Sequence, residues 1–349
     1  MQLREIYSPI KKELNDVIKS LEQFLSESEN KLISEINQFL LSNPGKRLRP
    51  ALVLLSAKAG SNNGLSDTDK LIKVASAIEM IHWASLVHDD VIDHSLIRHN
   101  SPSINKKWGL EVSIALGDYL YSKAFEIIAS CKNIDMLHYI SQITSVMCEG
   151  ELTQVRARGD VSLMKQQYFS IIEKKTASLF SASCKVGAML SDSEEFVQLS
   201  LKNYGLNFGI AYQIIDDCID LIGNKDELGK PPGADFKVGE LTLPILNLLS
   251  FSEDKRDLLY LMSQKNDQNA FQLVKDKFIE SKQAVAKTKE DIQNYIQKAK
   301  ESLINIKESV FKQSLIFLTD FLSERAGTEH SGLWSMNNVS ISPANALPH

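Results

Sequence analysis

Apolar residues recur at three- and four-residue intervals along almost the whole chain. In the segment IKKELNDVIKSLEQFL they form one stripe, made of Ile10, Leu14, Val17, Leu21 and Leu25. This spacing predicts amphipathic helices, and the absence of sustained two-residue alternation argues against strands. Pro and Gly cluster in short segments that we interpret as loops between helices, at 43–50, 61–64, 100–103 and 229–240.

The helical pattern continues without a linker that would divide the chain. Its 349 residues would allow two domains on length alone, but we predict an all-α fold with one large helical domain over residues 1–327. Residues 71–93 are apolar nearly all round, which predicts a helix buried inside a bundle. The segment 328–349 is rich in Ser, Asn, Gly and Pro, and we expect it to be a disordered tail.

The charge and cysteine content exclude several classes of protein. A net charge of -5 does not suggest nucleic-acid binding. The four cysteines are too far apart for a paired metal site, and we expect buried free thiols in a reducing compartment. Charged residues in MQLREIYSPIKKEL stand where a signal peptide needs an apolar core, so we expect a cytoplasmic protein with at most peripheral membrane contact.

Three carboxylates follow the apolar run 81–87, in the segment VHDDVIDHSLIRHN. Asp89 and Asp93 are four residues apart and therefore share one helix face, whereas Asp90 points about 100° away. A single cluster of this kind is commonly a solvated helix end. Hard cations such as Mg²⁺ offer another explanation, because they bind carboxylates together with substrate phosphates.

The same spacing returns in YQIIDDCIDLIGNKDELGK, again after an apolar helical run. Asp216, Asp217 and Asp220 repeat the first cluster. Two copies at the ends of buried helices favour one metal–diphosphate site over solvation. Basic residues near the loops would supply further charge for phosphates, namely Lys46, Arg47, Arg49, Arg98, Lys174, Lys175, Lys225 and Lys230.

The ordered motifs resemble those of the trans-isoprenyl diphosphate synthase (polyprenyl synthetase) family. They are GKRLRP, HDDVID with a following Arg, GDYLYSKAF, KKTASLF, YQIIDDCID and GKPPGADF with a following TLP. The resemblance spans about residues 40–250. It implies an isoprenoid synthase-type helical bundle around a central cavity, a homodimer, and head-to-tail condensation of isopentenyl diphosphate (IPP) with an allylic diphosphate.

The resemblance also implies roles for individual residues. Three Mg²⁺ ions per active site would be held by Asp89, Asp93 and Asp216, supported by Asp90, Asp217 and Asp220. The allylic diphosphate would contact Arg98, Lys175 and Lys230. The IPP diphosphate would contact Lys46, Arg47, Arg49 and His82, although a lone His on an apolar helix is commonly a core residue. Thr176 and Gln213 would line the reacting end.

Two positions depart from the family's common pattern. His99 stands where a second Arg often follows the first cluster, and it is associated with IPP binding. Glu240 stands where Lys often precedes TLP. We expect Glu240 to remove a positive charge near the allylic diphosphate.

Three other functions remain as alternatives. A geranylgeranyl or farnesyl diphosphate synthase would use the same motifs. A class I terpene cyclase usually carries an Asn–Ser–Glu second metal motif, which Asp216-Asp217-Cys218-Ile219-Asp220 does not match. A non-catalytic subunit of a heteromeric synthase generally lacks aspartates that this chain retains.

The helix before Asp89 suggests the product length. Ser85 and Ala84 precede Asp89 by four and five residues, and we expect both to lie near the aspartate face. Both are small, so we expect a cavity open toward Met80 and Ile81. This favours a long-chain all-trans product of the quinone side-chain type. Small residues also permit close helix packing, which is the competing interpretation.

Overall fold

The computed structural model describes residues 2–26, 28–42, 45–61, 64, 67–98, 101–223 and 232–327. The predicted all-α fold is confirmed in these residues. The α-helices are Leu3–Ile6 (α1), Lys11–Ser26 (α2), Lys31–Ser42 (α3), Leu48–Gly60 (α4), Thr68–Ile92 (α5), Ile104–Trp108 (α6), Leu110–Ser130 (α7), Ile134–Ala157 (α8), Val161–Ile172 (α9), Ser178–Leu190 (α10), Glu195–Ile222 (α11), Ala234–Val238 (α12), Leu243–Phe251 (α13), Lys255–Ser263 (α14), Gln268–Glu280 (α15), Lys282–Ser302 (α16) and Val310–Ala326 (α17).

Short elements interrupt the helices at three places. A 3₁₀ turn covers Ser8–Ile10, and a π-helical segment covers Glu173–Ala177. Two strands, Ile97–Arg98 (β1) and Ser101–Pro102 (β2), pair antiparallel. They are too short to show a two-residue pattern, which is why the sequence did not predict them. The predicted loop 229–240 contains the five-residue helix α12, and the predicted tail 328–349 lies outside the described residues.

Helix α5 is buried in the middle of the bundle, as its apolar sequence predicts. It packs against α2, α4 and α7, while α10 packs against α4 and α11. Glycines allow two of these contacts to be close. A Cβ at Gly187 would lie 2.3 Å from the Val53 carbonyl oxygen, and one at Gly205 would lie 2.5 Å from that of Phe180. The core therefore depends on direct approach of helix backbones.

The polar residues lie where long helices end. Helices α5 and α11 each carry an aspartate cluster in their last turns. The π-helical segment 173–177 joins α9 to α10 and packs against α8. Short π-helical insertions are uncommon and often occur at functional sites. None of the described helices combines the length and the apolar character that a membrane span requires.

Candidate active site

One cavity of about 570 Å³ brings the two aspartate clusters together. The first cluster contributes Asp89 and Asp93, and the second contributes Asp216 and Asp217. The predicted residues Arg49, His82, Ser85, Arg98, Lys175, Thr176, Gln213 and Glu240 also line it. The prediction that both clusters face one space therefore agrees with the structure.

Asp90 of the first cluster is hydrogen-bonded within the protein and does not line this cavity. Its carboxylate accepts hydrogen bonds from Arg98 Nε at 2.9 and 3.0 Å and from Arg98 Nη2 at 2.7 Å. Its backbone carbonyl accepts from Asn105 Nδ2 at 3.0 Å. Asp90 is 3% exposed. This paired carboxylate fixes the chain after α5 and holds Arg98 at the cavity edge.

Two aspartates of the second cluster are likewise held by hydrogen bonds within the protein. Asp217 accepts hydrogen bonds from the Tyr168 hydroxyl at 2.6 Å and from Gln213 Nε2 at 2.8 Å. Asp220 accepts from the backbone amides of Ala234 at 3.3 Å and Asp235 at 3.1 Å. Both aspartates are buried. Asp220 therefore anchors the start of α12 and does not line the cavity.

The three remaining aspartates each pair with a lysine or arginine side chain from another element. Lys175 Nζ lies 3.9 Å from Asp89 Oδ1, and Arg325 Nη1 lies 3.5 Å from Asp216 Oδ1. The Arg158 guanidinium contacts Asp93. The side chains of Asp89, Asp93 and Asp216 are 22%, 25% and 37% exposed. These are the carboxylates that the sequence analysis assigned to Mg²⁺.

Electrostatics at Asp89 reflect its enclosed position. Burial raises the pKa of this carboxyl to about 7, against the opposing effect of the nearby Lys175. Lys175 also pairs with Glu151 at 2.6 Å. Its position depends on Gly150, because a Cβ there would lie 2.7 Å from the Lys175 backbone nitrogen. The close approach of α8 thus sets where the 173–177 segment directs this lysine.

A chain of hydrogen bonds links the 173–177 segment to the second cluster. The Thr176 hydroxyl donates to Gln213 Oε1 at 2.7 Å, and Gln213 donates in turn to Asp217. Burial raises the pKa of Asp217 to about 7, against the hydrogen bonds from Tyr168 and Gln213. Thr176 and Gln213 both line the cavity. Both residues face the cavity that the two aspartate clusters share, and their position beside the reacting groups stays a prediction.

A smaller neighbouring pocket of about 220 Å³ is lined by the basic residues that were predicted to bind the IPP diphosphate. Lys46, Arg47, Arg49, His82 and Arg98 all line it. Arg49, His82 and Arg98 line the larger cavity as well. The two spaces are therefore adjacent, and shared basic side chains lie at their boundary.

The arginines of this pocket are positioned by aromatic rings and by a strained backbone. Arg49 lies 4.1 Å from the Phe180 ring centre, and Arg47 lies 5.8 Å from that of Trp83. Arg47 has a φ of 51°, a left-handed conformation that is uncommon for a side chain of this size. Such backbone strain concentrates at functional sites.

The smaller pocket is suited to an anion. Burial lowers the pKa of Lys46, and the nearby Arg325 lowers it further. Arg47 Nη1 and Arg49 Nε are buried without a hydrogen-bond partner among the described residues. Glu79 and the Arg98-paired Asp90 are the carboxylates that line this pocket, and burial raises the pKa of Glu79 to about 7. Unpaired buried donors and mutually repelling cations both favour binding of a negatively charged group.

The proposed chain-length residues do not all reach the cavity. Ser85 lines it, whereas Ala84, Met80 and Ile81 are fully buried and are not among its lining residues. Helix geometry gives the reason for Ala84 and Met80, which lie five and nine positions before Asp89 and therefore about 140° and 180° from it. Ala84 was predicted to lie near the aspartate face, and it is buried in the core instead. His99 and Lys230 lie outside the described residues.

The site residues fit Mg²⁺ bound together with a diphosphate. Within the described part of the chain, no three His, Cys, Asp or Glu side chains are grouped closely enough to hold an ion by themselves. Mg²⁺ usually binds through one or two carboxylates plus substrate phosphates. Asp89, Asp93 and Asp216 supply such oxygens around one cavity.

Four functional residues were missed from the sequence. Glu151 pairs with Lys175, and Arg158 contacts both Asp93 and Glu240. Arg325 reaches Asp216 from 109 positions away in the chain, and Glu79 faces the smaller pocket. No local pattern identifies the distant partners. A buried Glu in the otherwise apolar helix α5 was the one available signal.

The fold and the site define an all-helical protein whose cavity is lined by two aspartate clusters and by basic side chains. The Polyprenyl synthetase family profile matches residues 30–279. A prenyl transferase from Cyanophora paradoxa is 34% identical over 328 residues, covering 93% of this chain and 98% of the relative. The chain therefore belongs to the polyprenyl synthetase family and is a prenyltransferase.

Two further relatives place the chain within this family. The heptaprenyl diphosphate synthase component 2 of Bacillus subtilis is 32% identical over 325 residues, covering 93% of this chain and 91% of the relative. A polyprenyl synthase from Caulobacter crescentus, solved with calcium and isoprenyl diphosphate, has a TM-score of 0.86 and 29% identity. This alignment covers 93% of the present chain and 98% of the Caulobacter chain.

In the first cluster Asp90 is hydrogen-bonded within the protein, whereas Asp89 faces the cavity. This difference predicts different effects of two similar substitutions. Asp90→Asn should lower the free energy of unfolding by about 2 kcal/mol, because Arg98 loses its buried partner. The loss is smaller than for a fully buried ion pair, because the Arg98 side chain is one-third exposed. Asp89→Asn should change it by less than about 1 kcal/mol. Urea unfolding without metal measures both. Equal destabilisation by the two substitutions would contradict this difference between Asp89 and Asp90.

Proposed function

We propose that this prenyltransferase condenses IPP head-to-tail with an allylic diphosphate, using Mg²⁺, to give a long-chain all-trans polyprenyl diphosphate. The observation that carries the proposal is the single cavity lined by Asp89, Asp93 and Asp216, adjacent to a pocket lined by Lys46 and Arg49. One space suits a diphosphate bound with metal, and the other suits a diphosphate bound by basic side chains.

The allylic diphosphate lies in the larger cavity. Mg²⁺, when bound, supplies positive charge that stabilises the departing diphosphate. Asp89, Asp93 and Asp216 would hold about three such ions, while Asp90, Asp217 and Asp220 keep the surrounding segments in place. Lys175 and Arg98 face the same cavity and bind the negative oxygens.

IPP lies with its diphosphate against Lys46, Arg47, Arg49 and His82, and its double bond points toward the allylic carbon. The double bond attacks the allylic cation as the carbon–oxygen bond breaks. Thr176 and Gln213 enclose the reacting end. The released diphosphate accepts the final proton, so no protein side chain has to act as the base.

Product length is proposed from Ser85 and from the relatives. Ser85 presents a small side chain to the cavity four residues before Asp89, which leaves room for a growing chain beside α5. The heptaprenyl synthase name of the Bacillus relative supports a long product. A geranylgeranyl or farnesyl product is the alternative.

The assembly is proposed as a homodimer. Helices α7 and α8 expose apolar side chains that a second copy would cover, namely Leu110, Ile114, Ile134, Leu152 and Val155. All four cysteines are free thiols, as is typical of a reducing cytoplasm. Membrane contact would be peripheral and limited to product release.

A heteromeric synthase is a second candidate, because the Bacillus relative is named as component 2 of its enzyme. The purified chain should convert radiolabelled IPP and farnesyl diphosphate without any added protein, and it should have the mass of a dimer in solution. Turnover that appears only when a second protein from a cell extract is added would favour the heteromeric enzyme instead.

The metal-facing aspartates should be essential for turnover. Asp89→Ala and Asp216→Ala should each reduce kcat by several orders of magnitude, because charge stabilisation of the leaving group is lost. Product formation from radiolabelled IPP with Mg²⁺ measures the effect. The control is Asp69→Ala, an exposed carboxylate at the other end of α5. Near-normal turnover in both cavity variants would contradict the proposed reaction.

The cavity position of Ser85 should control product length. Ser85→Phe should shorten the product by at least one isoprene unit while IPP is still incorporated, because the ring fills the space beside Asp89. Ala84→Tyr is the matched comparison: Ala84 is fully buried, so this enlargement should destabilise the fold by about 1–3 kcal/mol. The measurement is the chain length of the extracted products. An unchanged product length in Ser85→Phe would exclude Ser85 as a determinant of that length.

A further inference from the structure

Arg158 is shared between two carboxylates that belong to different parts of the site. It caps α8, and its Nη2 atom contacts Asp93 Oδ1 and lies 3.0 Å from Glu240 Oε1. Its Nε atom also donates to Glu240, at 3.3 Å. Asp93 and Glu240 both line the larger cavity. Arg158 therefore pairs with a proposed metal ligand and with the unusual glutamate at the same time.

The two ends of this interaction differ in how firmly they are held. Glu240 is 8% exposed, and its backbone nitrogen donates to the Asp235 carbonyl at 2.8 Å. The neighbouring Gly239 carbonyl accepts from Gly159, the residue after Arg158, at 3.1 Å. The Asp93 side chain is 25% exposed at the end of α5. Arg158 makes two side-chain hydrogen bonds to Glu240. On the α5 side, its Nη1 atom donates to the Ile92 carbonyl at 3.5 Å and its Nη2 atom contacts Asp93. Because the Asp93 side chain is the more exposed of the two carboxylates, its contact with Arg158 is the more readily exchanged.

We propose that Arg158, held by Glu240, is an exchangeable counter-ion of Asp93 and competes with the divalent cation for that carboxylate. When the cation binds with a diphosphate, the guanidinium leaves Asp93 and stays paired with Glu240 at the cavity edge. Glu240 is then a positioning residue that acts through Arg158. This inference rests on the proposed metal-dependent function, and it changes the expectation that Glu240 only removes positive charge.

The competition makes opposite predictions for the two partners. Arg158→Gln should tighten binding of the cation about fivefold, because Asp93 loses its competitor. Glu240→Gln should weaken it by a similar factor, because Arg158 then pairs with Asp93 alone. If Glu240 acts through Arg158, Glu240→Gln should have no effect in the Arg158→Gln background.

Binding of Mn²⁺ with inorganic diphosphate tests this without turnover. The loss of the free Mn²⁺ signal in electron paramagnetic resonance gives the affinity for the wild type, both single variants and the double variant. Lys300→Gln is the control, because it removes a pair with Asp320 at 2.6 Å outside the site. It should leave the affinity unchanged. Thermal unfolding without metal identifies any variant that does not fold.

The outcomes separate this inference from the proposed function. Absence of Mn²⁺ binding in the wild type would overturn both. Wild-type binding together with an equal effect of Glu240→Gln in both backgrounds would overturn the inference alone, because the charges would then act independently. If Arg158→Gln does not fold, Arg158→Lys replaces it: lysine keeps the charge but cannot contact both carboxylates in the same geometry, and unchanged affinity would contradict the proposal.

Discussion

Six carboxylates at the ends of α5 and α11 repel one another, four of them around one cavity, and the structure depends on which groups bind each of them. Asp90, Asp217 and Asp220 are neutralised by permanent contacts within the protein, from a guanidinium, a phenol, an amide side chain and backbone amides. Asp89, Asp93 and Asp216 instead pair with long cationic side chains, and Asp216 is also hydrogen-bonded to Tyr212. The proposed metal site requires that these contacts exchange for contacts with a metal ion.

This division also explains the arrangement of the helices. Each of the hydrogen-bonded aspartates holds a segment in place. Asp90 holds the chain after α5, Asp217 holds Tyr168 of α9, and Asp220 holds the start of α12. The cations come from elements far apart in the chain, since Lys175 lies in the π-helical segment and Arg325 lies in α17. The bundle therefore has to close completely before the charges of the site are balanced.

The sequence predicted what depends on local spacing. Helical periodicity identified the all-α fold, and the repeated four-residue spacing identified the carboxylates of the cavity. It did not identify the partners of Asp93 and Asp216, because Arg158 and Arg325 are 65 and 109 positions away from them. It also misplaced Ala84, where the rotation of about 100° per residue turns the side chain into the core. Glu240 was interpreted as a lost charge because its partner was not visible in the sequence.

The central claim is that only three of the six aspartates bind metal. A crystal structure grown with Mn²⁺ and inorganic diphosphate, with anomalous scattering at the manganese edge, would test it most directly. The account predicts manganese peaks bound by Asp89, Asp93 and Asp216, with Asp90 still on Arg98 and Asp217 still on Tyr168. Manganese bound directly by Asp90 or Asp217, with those hydrogen bonds broken, would contradict it.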